Sequence, residues 1–305
     1  MKVRVLGSAA GGGFPQWNCN CRNCSGVRNG TLRSRRRTQS SLIVSGPDER
    51  HWALVNASPD ILAQIRAQPV LQPARAPRDT AIRAIVLVDG QIDHTAGLLM
   101  LRESTRPLLV WCTARVAEDL THSHPIFRVL EHYCGIEHRE LTPDGSTFTL
   151  DEVAGVEWQA LAVAGKPAPY SPNRTAPQPG DNVALVIRAA GGGTLVYAPA
   201  LGAMEERLWA ALAAADCVLL DGTFWSDEEM IRLGLSRRSA RELGHLPQNG
   251  PGGMLEWLEK LPAGTRRILI HVNNTNPILD EDSPERAELA RRGIEVAWDG
   301  MEIEL

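Results

Sequence analysis

One apolar run that turns abruptly polar constrains this chain more than any other feature. Ala84-Ile85-Val86-Leu87-Val88 is continuous and mostly β-branched, the pattern of a buried strand. Directly after it, Asp89, Gln91, Asp93 and His94 crowd two carboxylates, an amide and an imidazole together, with Gly90 and Gly97 loosening the backbone. Burying such groups unpaired would be costly, so the end of this strand predicts a cleft rather than a core. Asp93-His94 sets a hard oxygen donor beside an imidazole. That is half of a metal site, and the other half has to come from distant segments. A plainer reading stands beside it: Asp93 caps a helix starting near Thr95, and His94 is incidental.

The 305 residues suffice for one large α/β domain or two small ones. A net charge of -4 and a pI near 6.1 give no basic footprint for nucleic acid. The one basic run, Arg33-Ser34-Arg35-Arg36-Arg37, reads as a solvated loop or an anion contact. No apolar stretch approaches the roughly 20 residues of a membrane span. Met1 runs straight into the strand-like Lys2–Leu6, which leaves no room for a signal peptide and predicts a cytoplasmic protein. In that compartment the six cysteines are expected as thiols or metal ligands, not disulfides.

Gly7-Ser-Ala-Ala-Gly-Gly-Gly13 follows the first strand, but its spacing fits neither a dinucleotide loop nor a P-loop. Close backbone approach to something in a cleft is the better use of those glycines. Cys19, Cys21 and Cys24 form C-x-C-x-x-C, and three clustered thiolates suit a tetrahedral structural zinc. A fourth ligand would have to come from elsewhere in the chain. Gln39–Ser45 and His51–Asn56 read as a hairpin, and Ser58-Pro59-Asp60 as a helix start with Pro59 at the first helical position. Leu108–Trp111 is a strand and Thr113–Leu120 a helix. His122 and His124 are assigned no ligand role, and neither are His132, Cys134 and His138.

The proline-rich stretch Gly165–Gly180, with Tyr170, Asn173 and Arg174, reads either as a lid or as a passive surface loop. Val183–Ile187 pairs with Thr194–Tyr197. Helices are expected at Leu208–Ala214, Met254–Lys260 and Glu285–Arg292. Cys217–Asp221 and Arg267–Ile270 are strands ending at Asp221 and His271, His245 lies in a nearby loop, and Glu295–Trp298 closes the chain as a strand. Hairpins early and strand–helix alternation late favour two mixed β-sheets flanked by helices over one doubly wound sheet.

On these residues the chain resembles the metallo-β-lactamase superfamily. Asp89 and Gln91 stand where its H-x-H-x-D-H signature has the first two histidines, Asp93 and His94 stand at its Asp and last His, and His271 matches its final metal histidine. Gly7–Cys21, Asp89–Gly97 and His271-Val-Asn-Asn-Thr-Asn-Pro277 together resemble the B-protein family of pyrroloquinoline quinone biosynthesis over essentially the whole chain. The resemblance implies one αββα sandwich over residues 1-305, with a Cys-rich zinc loop at about 17-26. It departs from a two-metal hydrolase: the H-x-H pair is lost, Ala162–Gly165 has no histidine, and Tyr197–Ala200 has no bridging acid.

What survives is two imidazoles and one carboxylate, the composition of a non-haem Fe(II) facial triad, although zinc accepts the same donors. The resemblance implies an Fe(II)- and O2-dependent hydroxylase acting on the tyrosine ring of a Glu–Tyr species. Asp93, His94 and His271 would bind iron, and Asp89 would ligate it or hydrogen-bond to a ligand. His245 would move a proton, with Asp221 a weaker candidate for a supporting carboxylate. Cys19, Cys21 and Cys24 would bind structural Zn(II). Asn274 stands where a related branch has a histidine, and it is a poor zinc donor. Two rivals remain: a mononuclear zinc hydrolase, and a carrier helping to move the cofactor or its precursor towards the periplasm. The sequence does not set the oligomeric state, and a homodimer is left open.

Overall fold

The computed structural model covers all 305 residues. Its first half supplies β1 (Lys2–Gly7), β2 (Ser41–Ser45), β3 (Trp52–Val55), β4 (Ile82–Val86), β5 (Leu108–Cys112) and β6 (Ile136–Glu140). The second half supplies β7 (Asp144–Thr149), β8 (Val156–Ala162), β9 (Val183–Ala189), β10 (Thr194–Ala198), β11 (Cys217–Asp221), β12 (Arg266–Ile270), β13 (Ile294–Val296) and β14 (Glu302–Glu304). They form two seven-stranded sheets, ordered β14-β1-β2-β3-β4-β5-β6 and β13-β12-β11-β10-β9-β8-β7. β1 to β3 pair antiparallel and β3 to β6 parallel. β7 to β10 and then β10 to β13 repeat that change of direction.

Strand alternation explains the layering. Val3, Val5, Leu42, Val44, Ala84 and Val86 face Trp158, Leu185, Ile187, Leu219 and Ile268 in one buried core between the sheets. The opposite faces are equally apolar. Ile43, Leu54, Ile85 and Val110 pack under the helices of the first half, and Val186, Val196, Leu220 and Leu269 under those of the second. Strands buried on both faces require helices on both outer sides, which gives the αββα sandwich. No helix is long and apolar enough to cross a membrane.

The hairpin β2–β3 and the pair β9–β10 form as the sequence predicts. Several boundaries differ. The helix after Ser58 begins at Ile61, with Asp60 at its cap position. The Asp60 carboxylate accepts from the Gln39 backbone N–H and Nε2, both at 3.0 Å, so it ties the segment before β2 to this helix. The short helix of the polar motif spans Ile92–Thr95, which places Asp93 in its first turn rather than capping a later one. Glu295–Trp298 is not the last strand. β13 ends at Val296, and β14 returns to the first sheet beside β1.

Gly97 shows how tightly the motif is held. Its N–H donates to Ala57 O at 2.9 Å, and a Cβ there would lie 2.1 Å from Ser58 O. Neither backbone can retreat without disturbing the loop after β3. Gly97→Ala is therefore expected to lower the free energy of unfolding by about 1–3 kcal/mol, read from urea denaturation. A wild-type midpoint would show that the loops part at no cost.

Candidate metal centre

The site forms where the two sheets come together at the ends of β4, β11 and β12. Val183 N–H donates to Val88 O, and Asp89 bridges Asn182, which joins the end of β4 to the start of β9. The glycine-rich loop after β1 is stitched into the same place. Ala9 bridges both Gln39 and Val272, Ala10 N–H donates to Val272 O, and Val272 N–H donates to Ser8 O. A Cβ on Gly11 would lie in ordinary contact with Asp93 Oδ2, at 3.4 Å, so the loop backbone borders the cleft here without glycine being required at this position.

His94 is fully buried. Its Nδ1 lies 2.8 and 2.9 Å from the two Asp89 oxygens. A carboxylate can only accept, so Nδ1 carries a proton and Nε2 is the ring nitrogen left for a ligand. That Nε2 is buried and has no hydrogen-bond partner. Its acidic neighbour is Asp93 Oδ2 at 3.8 Å, which also lies 3.2 Å from His271 Nε2. The donor atoms of Asp93, His94 and His271 therefore converge within 4.8 Å of one another. Burial opposes charge on Asp93, but the His94 and His271 rings outweigh it and hold the carboxyl well below its usual range. Burial likewise opposes charge on His94, yet Asp89 and Asp93 raise it to about 9, so with no metal bound Nε2 carries a proton at neutral pH and a metal ion would take that proton's place.

His271 is aimed by its backbone. It has φ 59°, in the left-handed region that non-glycine residues avoid at a cost of about 1–3 kcal/mol. Thr223 Oγ1 lies 2.9 Å from its Nδ1 and 2.6 Å from Asp221 Oδ1. Nδ1–H thus donates to the hydroxyl, and the hydroxyl donates to Asp221. The other Asp221 oxygen accepts from Leu201 N–H at 2.9 Å and from His245 Nδ1 at 2.7 Å. Asp221 is fully buried; burial raises its carboxyl, but His245 reverses this and holds it below the usual range. Burial lowers His245, and Asp221 overcomes that and raises it.

Around these groups lies a cavity of about 220 Å³, lined by Asp93, His94, His245, His271, Lys166 and Arg174 among others. Thr223 was not singled out from the sequence. Its signal is position, two residues beyond an acidic strand end. Gln91 does not reach the triad. Its Nε2 donates to Lys166 O at 3.1 Å and ties the motif to the 165–180 loop. His124 packs against the Tyr170 ring of that loop, and Tyr170 Oη donates to Gly90 O. His122 meets Arg128, and His138 Nε2 meets Cys112 O.

The sulfurs of Cys19, Cys21 and Cys24 form a second cluster, also within 4.8 Å. All six cysteines are free. The Asn274 carboxamide covers the fourth face of this cluster, with Nδ2 3.1, 3.7 and 3.4 Å from the sulfurs of Cys19, Cys21 and Cys24. Asn23 Nδ2 clamps the same segment through Asn274 O and Asn276 O, at 3.1 and 2.8 Å.

The sequence profile described as "Beta-lactamase superfamily domain" matches residues 51–272. Over the full length of both chains, 63% of residues are identical to "Coenzyme PQQ synthesis protein B" of Azoarcus sp. (strain BH72). The protein of the same description from Cupriavidus necator is 58% identical over 99% of each chain. The crystal structure of Zn(2+)-bound PqqB from Methylobacterium extorquens superposes with TM-score 0.90 at 39% identity, covering both chains completely. A diphosphatase of the PhnP family shares the fold, with TM-score 0.67 at 18% identity over 100% of this chain and 96% of that one.

Glu229 supports the loop that follows His271. It is buried, and it accepts from Trp225 N–H at 2.7 Å and from the Thr275 hydroxyl. Burial raises its carboxyl to about 7. Between the ordinary carboxyl range and pH 7, the folded protein keeps this proton while the unfolded chain releases it. Folding stability therefore falls as pH rises through that window. Glu229→Gln removes the titration. Relative to wild type, the variant should gain up to about 3 kcal/mol between pH 4.5 and 7, measured by urea denaturation across pH. A pH-independent difference would place the Glu229 proton outside this window.

Proposed function

Since the chain belongs to the coenzyme PQQ synthesis protein B family of the beta-lactamase superfamily, we propose that it acts in pyrroloquinoline quinone biosynthesis as an Fe(II)- and O2-dependent hydroxylase of the tyrosine ring in a Glu–Tyr precursor. One observation carries the metal reading. His94 Nε2 is buried, unpartnered and faces the other two donors, with Nδ1 committed to Asp89. An imidazole nitrogen left bare in a polar cleft costs free energy unless a cation takes its lone pair. His271 likewise has Nδ1 committed to Thr223, while its Nε2 faces Asp93 Oδ2 at 3.2 Å.

The donor set favours one metal. Both Asp89 oxygens are engaged by His94, and Asp221 is spent on Leu201, Thr223 and His245. Ala200, at the end of the Tyr197–Ala200 segment that holds no bridging acid, lines the cleft. Two histidines and one carboxylate leave open positions on Fe(II) for dioxygen and substrate, which is the chemistry the metal supplies when bound.

The chain's own residues do the rest. Asp89 and Thr223 fix the tautomers of His94 and His271, so each presents Nε2. His245, made more basic by Asp221, lines the cleft and holds or takes the phenolic proton at Nε2. Cys19, Cys21 and Cys24 hold structural Zn(II) under Asn274, which anchors the segment that starts at His271.

A mononuclear zinc hydrolase is the second reading, favoured by the Zn(2+)-bound state of the Methylobacterium protein. Metal-free protein loaded anaerobically with Fe(II) or Zn(II), then given O2 and Glu–Tyr, separates the two by product mass. One or two added oxygen atoms are expected with iron only, and none in Asp93→Ala or His271→Ala. Dipeptide cleavage with zinc and no O2 would replace the hydroxylase with the hydrolase. An unchanged dipeptide with iron bound would favour a carrier. Asp89→Asn, which keeps an acceptor but removes the charge facing His94, should weaken metal binding about 10–100-fold in a chelator competition, with unchanged circular dichroism.

A further inference from the structure

The cleft wall combines metal-donor residues with cations of a neighbouring loop. Asp93, His94 and His271 gather together, and Lys166 and Arg174 of the 165–180 loop line the same cavity. Both loop cations are half-buried. Each spends a donor on a backbone carbonyl, Lys166 Nζ on Glu242 O and Arg174 on Pro167 O, and neither on a carboxylate. Burial and then the Arg238 guanidinium push Arg174 below its ordinary value, and no acid counters them. The only carboxylate lining the cavity is Asp93, whose oxygen faces His94 and His271. Two partly dehydrated cations without a counter-charge are a place for an anion.

The loop is also held in place. Gln91 Nε2 donates to Lys166 O, Tyr170 Oη donates to Gly90 O, and Thr113 Oγ1 donates to Gly180 O. Its cations therefore stand in a set relation to the Asp89–Gly97 motif. Gly244 permits the approach from the other side: it has φ 97°, and a Cβ there would lie 3.2 Å from the Lys166 side chain.

We infer that Lys166 and Arg174 form a carboxylate subsite that selects an acidic substrate and turns its opposite end towards Asp93, His94 and His271. This deepens the proposed function and rests on it for the identity of the reacting ring. The subsite itself requires only a carboxylate-bearing ligand.

The test uses Glu–Phe, which keeps both carboxylates of Glu–Tyr and lacks the phenol, titrated calorimetrically into zinc-loaded protein. Lys166→Met and Arg174→Gln should each weaken Glu–Phe about tenfold or more, and Arg174→Lys should recover part of the loss. Gln–Phe amide, which has no carboxylate, should bind wild type weakly and lose nothing further in the variants. Unchanged zinc content and thermal midpoints show that the variants are folded. Wild-type Glu–Phe affinity in both variants would overturn the subsite. So would no binding to wild type, or equal losses for Gln–Phe amide. Cation-dependent Glu–Phe binding without oxygenation of Glu–Tyr by the iron form would keep the subsite and remove the hydroxylase. Oxygenation with unaltered KM in both variants would do the reverse.

Discussion

A carboxylate and an imidazole buried together at the meeting of two sheets govern this structure. Asp89 and His94 are within 2 % of complete burial, and each satisfies the other. Removing either would strand the other in a medium that solvates it poorly. The pair sits at the end of β4, where Val88 and Asp89 also bridge to the start of β9 in the opposite sheet. Sheet association and the direction of His94 Nε2 are thus set at one place. The cost of burying Asp89 is offset by an imidazole whose free nitrogen has one orientation, towards Asp93 and His271.

The second set of constraints runs through the segment after β12. His271 lies three residues from Asn274, which covers the three cysteines, and Asn23 ties the segment to the helix carrying Cys24. A left-handed φ at His271 needs this support, together with Thr223 Oγ1, which donates to Asp221 and lies 3.0 Å from His271 O. The thiol cluster and the triad are therefore not independent features. A clamp on Asn274 transmits to the backbone that aims His271, which gives a thiol loop near the amino terminus a role in a site formed by later strands.

What could be read from the sequence follows the strength of the local signal. β4, β5, β9, β10, β11 and β12 are apolar on both faces and end in polar residues or turns, so periodicity and punctuation agree. The polar strand ends are legible for the same reason, because Asp93, His94, Asp221 and His271 have no business beside buried β-branched runs unless a cleft is there. β6 and β7 are largely exposed edge strands with charged or hydroxyl residues, and nothing in Ile136–Glu140 or Asp144–Thr149 forces a strand. β14 is three residues long and is defined by pairing with β1, a contact no local pattern encodes. Thr223 escapes for a related reason, and Asn274 stands out only through the resemblance, without its contact to the sulfurs. A hydroxyl and an amide are common in loops, and only the fold shows which imidazole or sulfur they meet.

The losses relative to a two-metal relative are compensated rather than vacant. At the first ligand position of the family signature, Asp89 has turned from the cleft to His94. At the second, Gln91 has turned to the loop carbonyl of Lys166. At the strand end that might have held another metal, Asp221 instead joins His245 to Thr223. Each replacement converts a possible ligand into a fixture for a remaining one, or for the loop above it. The result is a smaller donor set in which both imidazoles are held at Nδ1. That suits the one-metal centre proposed above better than one that bridges a water between two cations.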